Sequence, residues 1–170
     1  MMAELKFYEV DADYIDYLSK IDGKVPKIDY SAKSAHDKFL CGIVLSVGGQ
    51  NYFAPISSFK TPQRTNLIIK DANGNDISSI RFSFMIPIPL GSATLKNISN
   101  EPSPQYKNLL DLEVRFCNRN KGAILSRARF VYNAVVTKKD SLMVKNCCDF
   151  KALEAACEIY AAEHPVIHQI

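Results

Sequence analysis

Phe39-Leu40-Cys41-Gly42-Ile43-Val44-Leu45-Ser46-Val47, Gly48-Gly49, Gln50-Asn51-Tyr52-Phe53-Ala54-Pro55-Ile56: these residues decide the fold. Two runs rich in β-branched and aromatic residues flank a glycine pair, which reads as a buried strand, a tight turn and the returning partner strand. Leu67-Ile68-Ile69 reads as another short strand, followed by an Asn73-Gly74 turn. Ser79 to Ile88 reads as a further strand, in which Ile80, Phe82 and Phe84 alternate with Arg81 and Ser83. Pro87 and Pro89 end it or leave it on an edge.

Upstream, Lys6-Phe7-Tyr8-Glu9-Val10 reads as a strand. Asp11 is a good cap for a helix over Ala12 to Ile21, with Ile15, Leu18 and Ile21 as its inward stripe, and Gly23 and Pro26 stop it. A lysine-rich polar loop spans 24 to 38 and contains Tyr30, Lys33, His36 and Lys38. Downstream of Pro104 the period becomes helical through Tyr106, Leu109, Leu110, Leu112 and Phe116, then Ile124, Leu125, Ala128, Val131, Tyr132 and Val135. Gly122 between the two runs predicts a kink or a break in a long helix. Asp149 caps a last helix over Phe150 to Glu163, with Leu153, Ala156, Cys157 and Tyr160 inward and Pro165 beyond. These elements predict one α+β domain over residues 1–170, a compact, strongly bent antiparallel sheet with helices packed outside it.

A chain of 170 residues can bury roughly 70% of its unfolded surface, so its core needs no disulfide or metal. No apolar run reaches the roughly 18 residues of a membrane span, and Met1-Met2-Ala3-Glu4-Leu5-Lys6 lacks a secretion pattern, so a cytoplasmic protein is expected. Cys41, Cys117, Cys147, Cys148 and Cys157 have no metal-ligand spacing and read as reduced, buried thiols of a reducing compartment.

Net charge is only +3, but it is unevenly spread. Residues 1 to 37 carry Glu4, Glu9, Asp11, Asp13, Asp16, Asp22, Asp29 and Asp37. Val114 to Lys139 holds no acid, yet carries Arg115, Arg119, Lys121, Arg127, Arg129, Lys138 and Lys139. Such a stretch attracts polyanions, although a solvated helix face reads the same way.

A phosphate loop, a dinucleotide fingerprint and a Gly-x-Ser-x-Gly elbow are all absent from the sequence. The three histidines, His36, His164 and His168, argue against a zinc site or a histidine-centred hydrolase. The informative segment is Phe53-Ala54-Pro55-Ile56-Ser57-Ser58-Phe59-Lys60, which puts two hydroxyls and an ammonium just past a buried strand. RNA cleavage by its own 2′-hydroxyl needs a proton acceptor, donors for the charged phosphorane and a proton for the leaving oxygen. Lysine can supply charge or a proton, and serine can donate to phosphate oxygens. Spacing alone decides nothing here, since Ser-Ser-x-Lys at a strand end is usually only a turn.

Three groups of residues together resemble the ToxN/AbiQ family of type III toxin–antitoxin endoribonuclease toxins. The first is Lys6-Phe7-Tyr8 with Tyr14-Ile15-x-Tyr17-Leu18 and Lys24-Val25-Pro26. The second is Gly42-Ile43-Val44-Leu45 through Tyr52-Phe53-Ala54-Pro55-Ile56-Ser57-Ser58-x-Lys60. The third is Phe84-Met85-Ile86-Pro87-Ile88 with Pro104-x-Tyr106-Lys107-x-Leu109-Leu110. The resemblance covers about residues 5 to 115, with only helical pattern beyond.

That resemblance implies a highly twisted antiparallel sheet of the toxin-ribonuclease, SH3-like barrel type, with surrounding helices, to which the helical period above adds a long kinked one in the C-terminal half. It implies metal-independent cleavage of cellular or phage RNA at adenine-rich sites, leaving a 2′,3′-cyclic phosphate without any cofactor. The implied partner is a small, repeated pseudoknot RNA that the toxin trims and that closes with it into a ring, with no role for membrane or DNA. Carried over by position, Ser57, Ser58, Lys60 and Tyr14 are the expected catalytic residues, with serine at 57 where the family usually has threonine. Tyr30, Lys33, Lys38, Arg64, Arg115, Arg119 and Lys121 are the expected RNA-binding residues. A non-catalytic RNA-binding module, gripping phosphates with the basic stretch and stacking bases on tyrosines, is the competing reading.

Overall fold

The computed structural model describes residues 3–27 and 39–166. Among the described residues seven strands form one twisted antiparallel sheet: β1 (Lys6–Val10), β2 (Leu40–Val47), β3 (Gln50–Ser57), β4 (Asn66–Lys70), β5 (Asp76–Arg81), β6 (Ile86–Pro87) and β7 (Ala93–Leu95). Their order is β4-β5-β3-β2-β1-β7, with β6 also on β3. This is an open path, and β4 and β7 at its ends do not pair with each other among the described residues. Five α-helices among the described residues pack around it: α1 (Ala12–Ile21), α2 (Pro104–Arg119), α3 (Lys121–Val136), α4 (Ser141–Asn146) and α5 (Phe150–Glu163).

The hairpin forms where the glycine pair predicts it. Val47 faces Gln50, and Gly48 and Gly49 take φ of 57° and 81°, the two positive values that a two-residue turn of type I′ requires. Farther down the hairpin, a Cβ on Gly42 would lie 2.2 Å from the Phe53 ring, so only glycine lets the two strands close there. Between Gly42 and Leu45 the register shifts, leaving β2 bulged and Ile43 exposed.

The strand expected from Ser79 to Ile88 is instead two strands separated by a single turn at Phe82–Phe84. Pro55 explains the interruption. The Ile56 N–H donates to Phe39 O on the β2 side, so the alternation of a strand aims the Pro55 nitrogen at the opposite edge. Proline has no hydrogen to donate, and the ladder there breaks between the Ile56–Ile80 and Phe53–Ile86 pairs.

Helix α1 has the expected span, but a different buried stripe. Tyr14, Ile15 and Leu18 face the core, whereas Ile21 is 48% exposed. The Asp11 side chain makes no capping bond; its carbonyl accepts from Ile15 N. In α2 the buried face is Tyr106, Leu110, Glu113 and Cys117, with Ser103 Oγ accepting from Tyr106 N at the start. The kink or break predicted near Gly122 is a break, at Asn120, whose side chain turns back to donate to Phe116 O. Helix α4 lies outside the elements the sequence predicts; Asp140 caps it, accepting from Leu142 N and Met143 N.

Helix α5 packs on β6 and α1, α2 on β4, and α3 on β2 and β4. A polar latch ties α5 and α3 to the sheet: Tyr52 and Tyr132 both donate to Glu154 Oε2, at 2.7 and 2.8 Å. Phe7, Tyr14, Tyr52, Phe82 and Phe150 are the largest fully buried side chains. All five cysteines are free and buried. No helix among the described residues is long and apolar enough to cross a membrane.

Candidate functional site

Strand β3 ends at Ser57, which pairs with Ser79 of β5. The chain then leaves the sheet through Ser58, Phe59 and Lys60. Two hydrogen bonds pin this exit: Phe59 N donates to Ser57 Oγ at 3.2 Å, and Ser79 Oγ donates to Phe59 O at 2.6 Å. Ser58 and Lys60 are exposed, and Lys60 has no hydrogen-bond or ion-pair partner among the described residues. The sheet thus presents a hydroxyl and an ammonium, two residues apart, that have no partner among the described residues.

Ser57 and Ser58 line a cleft of about 180 Å³ whose other walls include Phe39, Ser78, Tyr106 and Glu113. Glu113, a carboxyl only 3% exposed, accepts a 2.6 Å bond from Ser78 Oγ. Burial pushes its pKa up, and the serine bond partly offsets the shift. Sequence reasoning passed over Glu113. The available signal was its place three residues after Leu110 and four before Cys117, on the inward stripe of α2.

Tyr14, expected at the reacting atoms, is fully buried and donates its hydroxyl to Pro87 O. Its ring meets Tyr160 edge-on at 4.9 Å. Burial, foremost, and then Cys157 push its pKa far above the usual tyrosine range. The structure therefore gives Tyr14 a packing place between α1, α5 and the end of β6, apart from the cleft that Ser57 and Ser58 line. Tyr30, Lys33 and Lys38 lie outside the described residues, as does His36.

The remaining basic candidates are dispersed. Arg64 pairs with Asp140 at 2.9 Å and sits over the Phe130 ring. Lys121 lines a separate cleft of about 590 Å³, together with Lys6 and Arg129, between β1, the β2 bulge and α3. Arg115 and Arg119 are exposed on α2. Arg127, counted by sequence among the polyanion-attracting bases, is committed internally: its Nη1 donates to the carbonyls of Gln63, Arg64 and Asn66, clamping the loop after Lys60 to α3. Among the described residues no group of three or more His, Cys, Asp or Glu could hold a metal ion.

Known proteins are similar to this chain in sequence and fold. The chain is 30% identical over 162 residues to the endoribonuclease ToxN of Pectobacterium atrosepticum, covering 88% of this chain and 90% of that one. It is 26% identical over 170 residues to the endoribonuclease AbiQ of Lactococcus lactis subsp. lactis, covering 92% and 90%. A solved toxin of a type III system, described as selectively inhibited by a non-coding RNA pseudoknot, superposes with a TM-score of 0.83 at 26% identity, over 93% of this chain and 98% of that one. Solved AbiQ, at 23% identity and a TM-score of 0.84 over 94% and 99% of the chains, shares the fold. The sequence model of the family described as toxin ToxN of type III toxin–antitoxin systems matches residues 6–158, and the chain belongs to that family.

Proposed function

We propose that the protein, acting as one domain over residues 1–170, is a cytoplasmic endoribonuclease toxin that cuts cellular or phage RNA without a metal ion. The observation that carries this reading is the pinned exit of β3, which sets Ser58 in the lining of a cleft and leaves Lys60 exposed two residues on. Relatives named endoribonuclease, similar over nearly their whole length, support it.

In the proposed step the 2′-oxygen of one nucleotide attacks its neighbouring phosphorus while the bond to the departing 5′-oxygen breaks. The 2′-hydroxyl proton passes to a base, the leaving oxygen takes a proton, and a 2′,3′-cyclic phosphate remains. Because the nucleophile belongs to the RNA itself, no activated water is needed. Lys60 offsets the charge building on the phosphorane, Ser58 donates to a non-bridging oxygen, and Ser57 holds the turn through Phe59 N. Tyr14 contributes by packing. A repeated pseudoknot RNA, trimmed by the toxin and closed with it into a ring, would keep the cleft covered; the pseudoknot inhibition described for a solved relative supports that partner.

The exposed Arg115 and Arg119 favour a second reading, an RNA-binding module without catalysis. Incubation in EDTA with a labelled adenine-rich RNA, and with its 2′-deoxy counterpart, separates the two. Cleavage of the first only, with a cyclic phosphate end, is the expected result. Tight binding of both with cleavage of neither would leave the binding module.

A further inference from the structure

Arg81, the last residue of β5, is held in a way the fold alone does not require. Its guanidinium carbon lies 4.4 Å from the Phe59 ring centroid and 4.7 Å from that of Phe84, a cation between two aromatic faces. The Nε is buried and makes no hydrogen bond among the described residues. No carboxylate among them pairs with the guanidinium. Asp140, in the same cleft, is already engaged by Arg64 and by the amide groups that open α4. Burial lowers the arginine's pKa from its ordinary value, yet arginine remains a cation at any physiological pH.

A side chain needed only to fill the space between two phenylalanines would be apolar, because drawing a cation partly out of water is costly, and half-buried Arg81, its Nε fully covered, has no carboxylate among the described residues to offset that. Arginine's planar donor fork is instead suited to phosphate. Arg81 and Arg64 line a cleft of about 520 Å³ with Phe84, Asp140 and Asn146, where two cations outweigh one carboxylate. The aromatic ring on one side of Arg81 is Phe59, the residue between Ser58 and Lys60. A phosphate held by Arg81 would therefore lie along the same strand of RNA as one held by Ser58 and Lys60.

We propose that Arg81, fixed between Phe59 and Phe84, binds a backbone phosphate of single-stranded RNA next to the one that is cut. The inference rests on the reading of the protein as an RNA-cutting toxin. It makes Phe59 a link that sets the spacing between the two phosphate sites. Base identity plays no part in such a contact, so it positions the strand without selecting sequence.

The test uses the full chain and an adenine-rich oligoribonucleotide made uncleavable by 2′-O-methyl groups, with affinity measured across about 50 to 200 mM salt. Arg81→Met, which keeps the aromatic slot filled, is expected to bind roughly tenfold more weakly and to lose about 0.7 from the slope of log K against log salt. Arg81→Lys, also folded if the methionine variant is not, is expected to restore the slope but only part of the affinity. Wild-type affinity and slope in both variants would overturn the proposal, as would weakened binding with an unchanged slope, the mark of a purely structural arginine. Cleavage by the wild type with no change of slope would sink the Arg81 site alone. A slope lost on Arg81→Met in a protein that binds but never cuts would uphold the site while removing the ribonuclease reading.

Discussion

Ser78 Oγ donates to Glu113 Oε2 at 2.6 Å, joining β5 to the buried face of α2 in the lining of the cleft that carries Ser57 and Ser58. Burial raises the Glu113 pKa more than the serine bond lowers it. The folded protein thus holds a proton on Glu113 more tightly than the unfolded chain does, so this group's contribution is fully present below the ordinary glutamate pKa. It is lost as pH rises through the raised value. Glu113→Gln keeps an oxygen to accept from Ser78 and removes the titration. The variant should be more stable than wild type at neutral pH, with the advantage vanishing near about pH 4. Urea midpoints across that range decide it; a constant difference at every pH would mean that Glu113 does not titrate in this window.

The pinned turn predicts unequal roles for its three polar residues. Ser58→Ala and Lys60→Ala should each slow RNA cleavage by about 10² to 10³, the usual loss for one donor to a developing oxyanion. Ser57 acts through its bond with Phe59 N, so Ser57→Thr, which keeps the hydroxyl, should stay within a few-fold of wild type. Initial rates on a labelled RNA and growth arrest at matched expression are the readouts. Full toxicity in Ser58→Ala would remove that residue from the site.

Much of this site was legible because it hangs on a hairpin whose signals are local. Gly48-Gly49 and the runs beside it define two strands and therefore the point at which Ser57 leaves the sheet. Legibility failed where a long-range partner outweighed the local pattern. Nothing near Ser79 announces that Pro55, some two dozen positions earlier, withholds the amide hydrogen that a continuous strand would need. Tyr14 is a site residue by family resemblance alone; its sequence equally allows a packed ring with the hydroxyl bonded to backbone, and contact with Tyr160 and Pro87 O decides for the latter. The same holds for charge. Arg127 resembles its neighbours in a basic run, but three carbonyls from a distant loop occupy it.

Tyr14→Phe removes one buried hydroxyl and leaves Pro87 O without this donor. It should cost about 1 kcal/mol of stability, or roughly 2–4 °C in Tm for a domain of this size. Cleavage should proceed at the wild-type rate below the transition. A hundredfold loss of rate with an unchanged Tm would return Tyr14 to the catalytic group.

The latch on α5 should be the most sensitive polar point in the core. Glu154→Ala leaves the Tyr52 and Tyr132 hydroxyls without their shared acceptor and frees Lys151. The Tyr52 hydroxyl keeps only its long 3.4 Å bond to Phe150 O, and the loss of two hydrogen bonds to a carboxylate should cost about 2 kcal/mol. Glu154→Gln, which retains one acceptor oxygen, should lose less. Thermal unfolding of the two variants checks the order. Equal losses would place the cost in packing of the side chain rather than in the hydrogen bonds.

The basic helices separate holding the fold from holding RNA. Arg115 and Arg119 project from α2 into solvent, whereas Arg127 clamps the loop that follows Lys60. Arg115→Ala with Arg119→Ala should leave Tm within about 2 °C and weaken RNA binding steeply at low salt, with a flatter salt dependence. Arg127→Ala should do the reverse. Losing charge-assisted bonds to three carbonyls should cost about 2 kcal/mol, and a loosened loop should slow cleavage through a misplaced Lys60. Because the lost bonds are internal, its salt slope for RNA should match wild type. A flattened slope in Arg127→Ala would mean that the guanidinium leaves its carbonyls to meet phosphate when RNA binds.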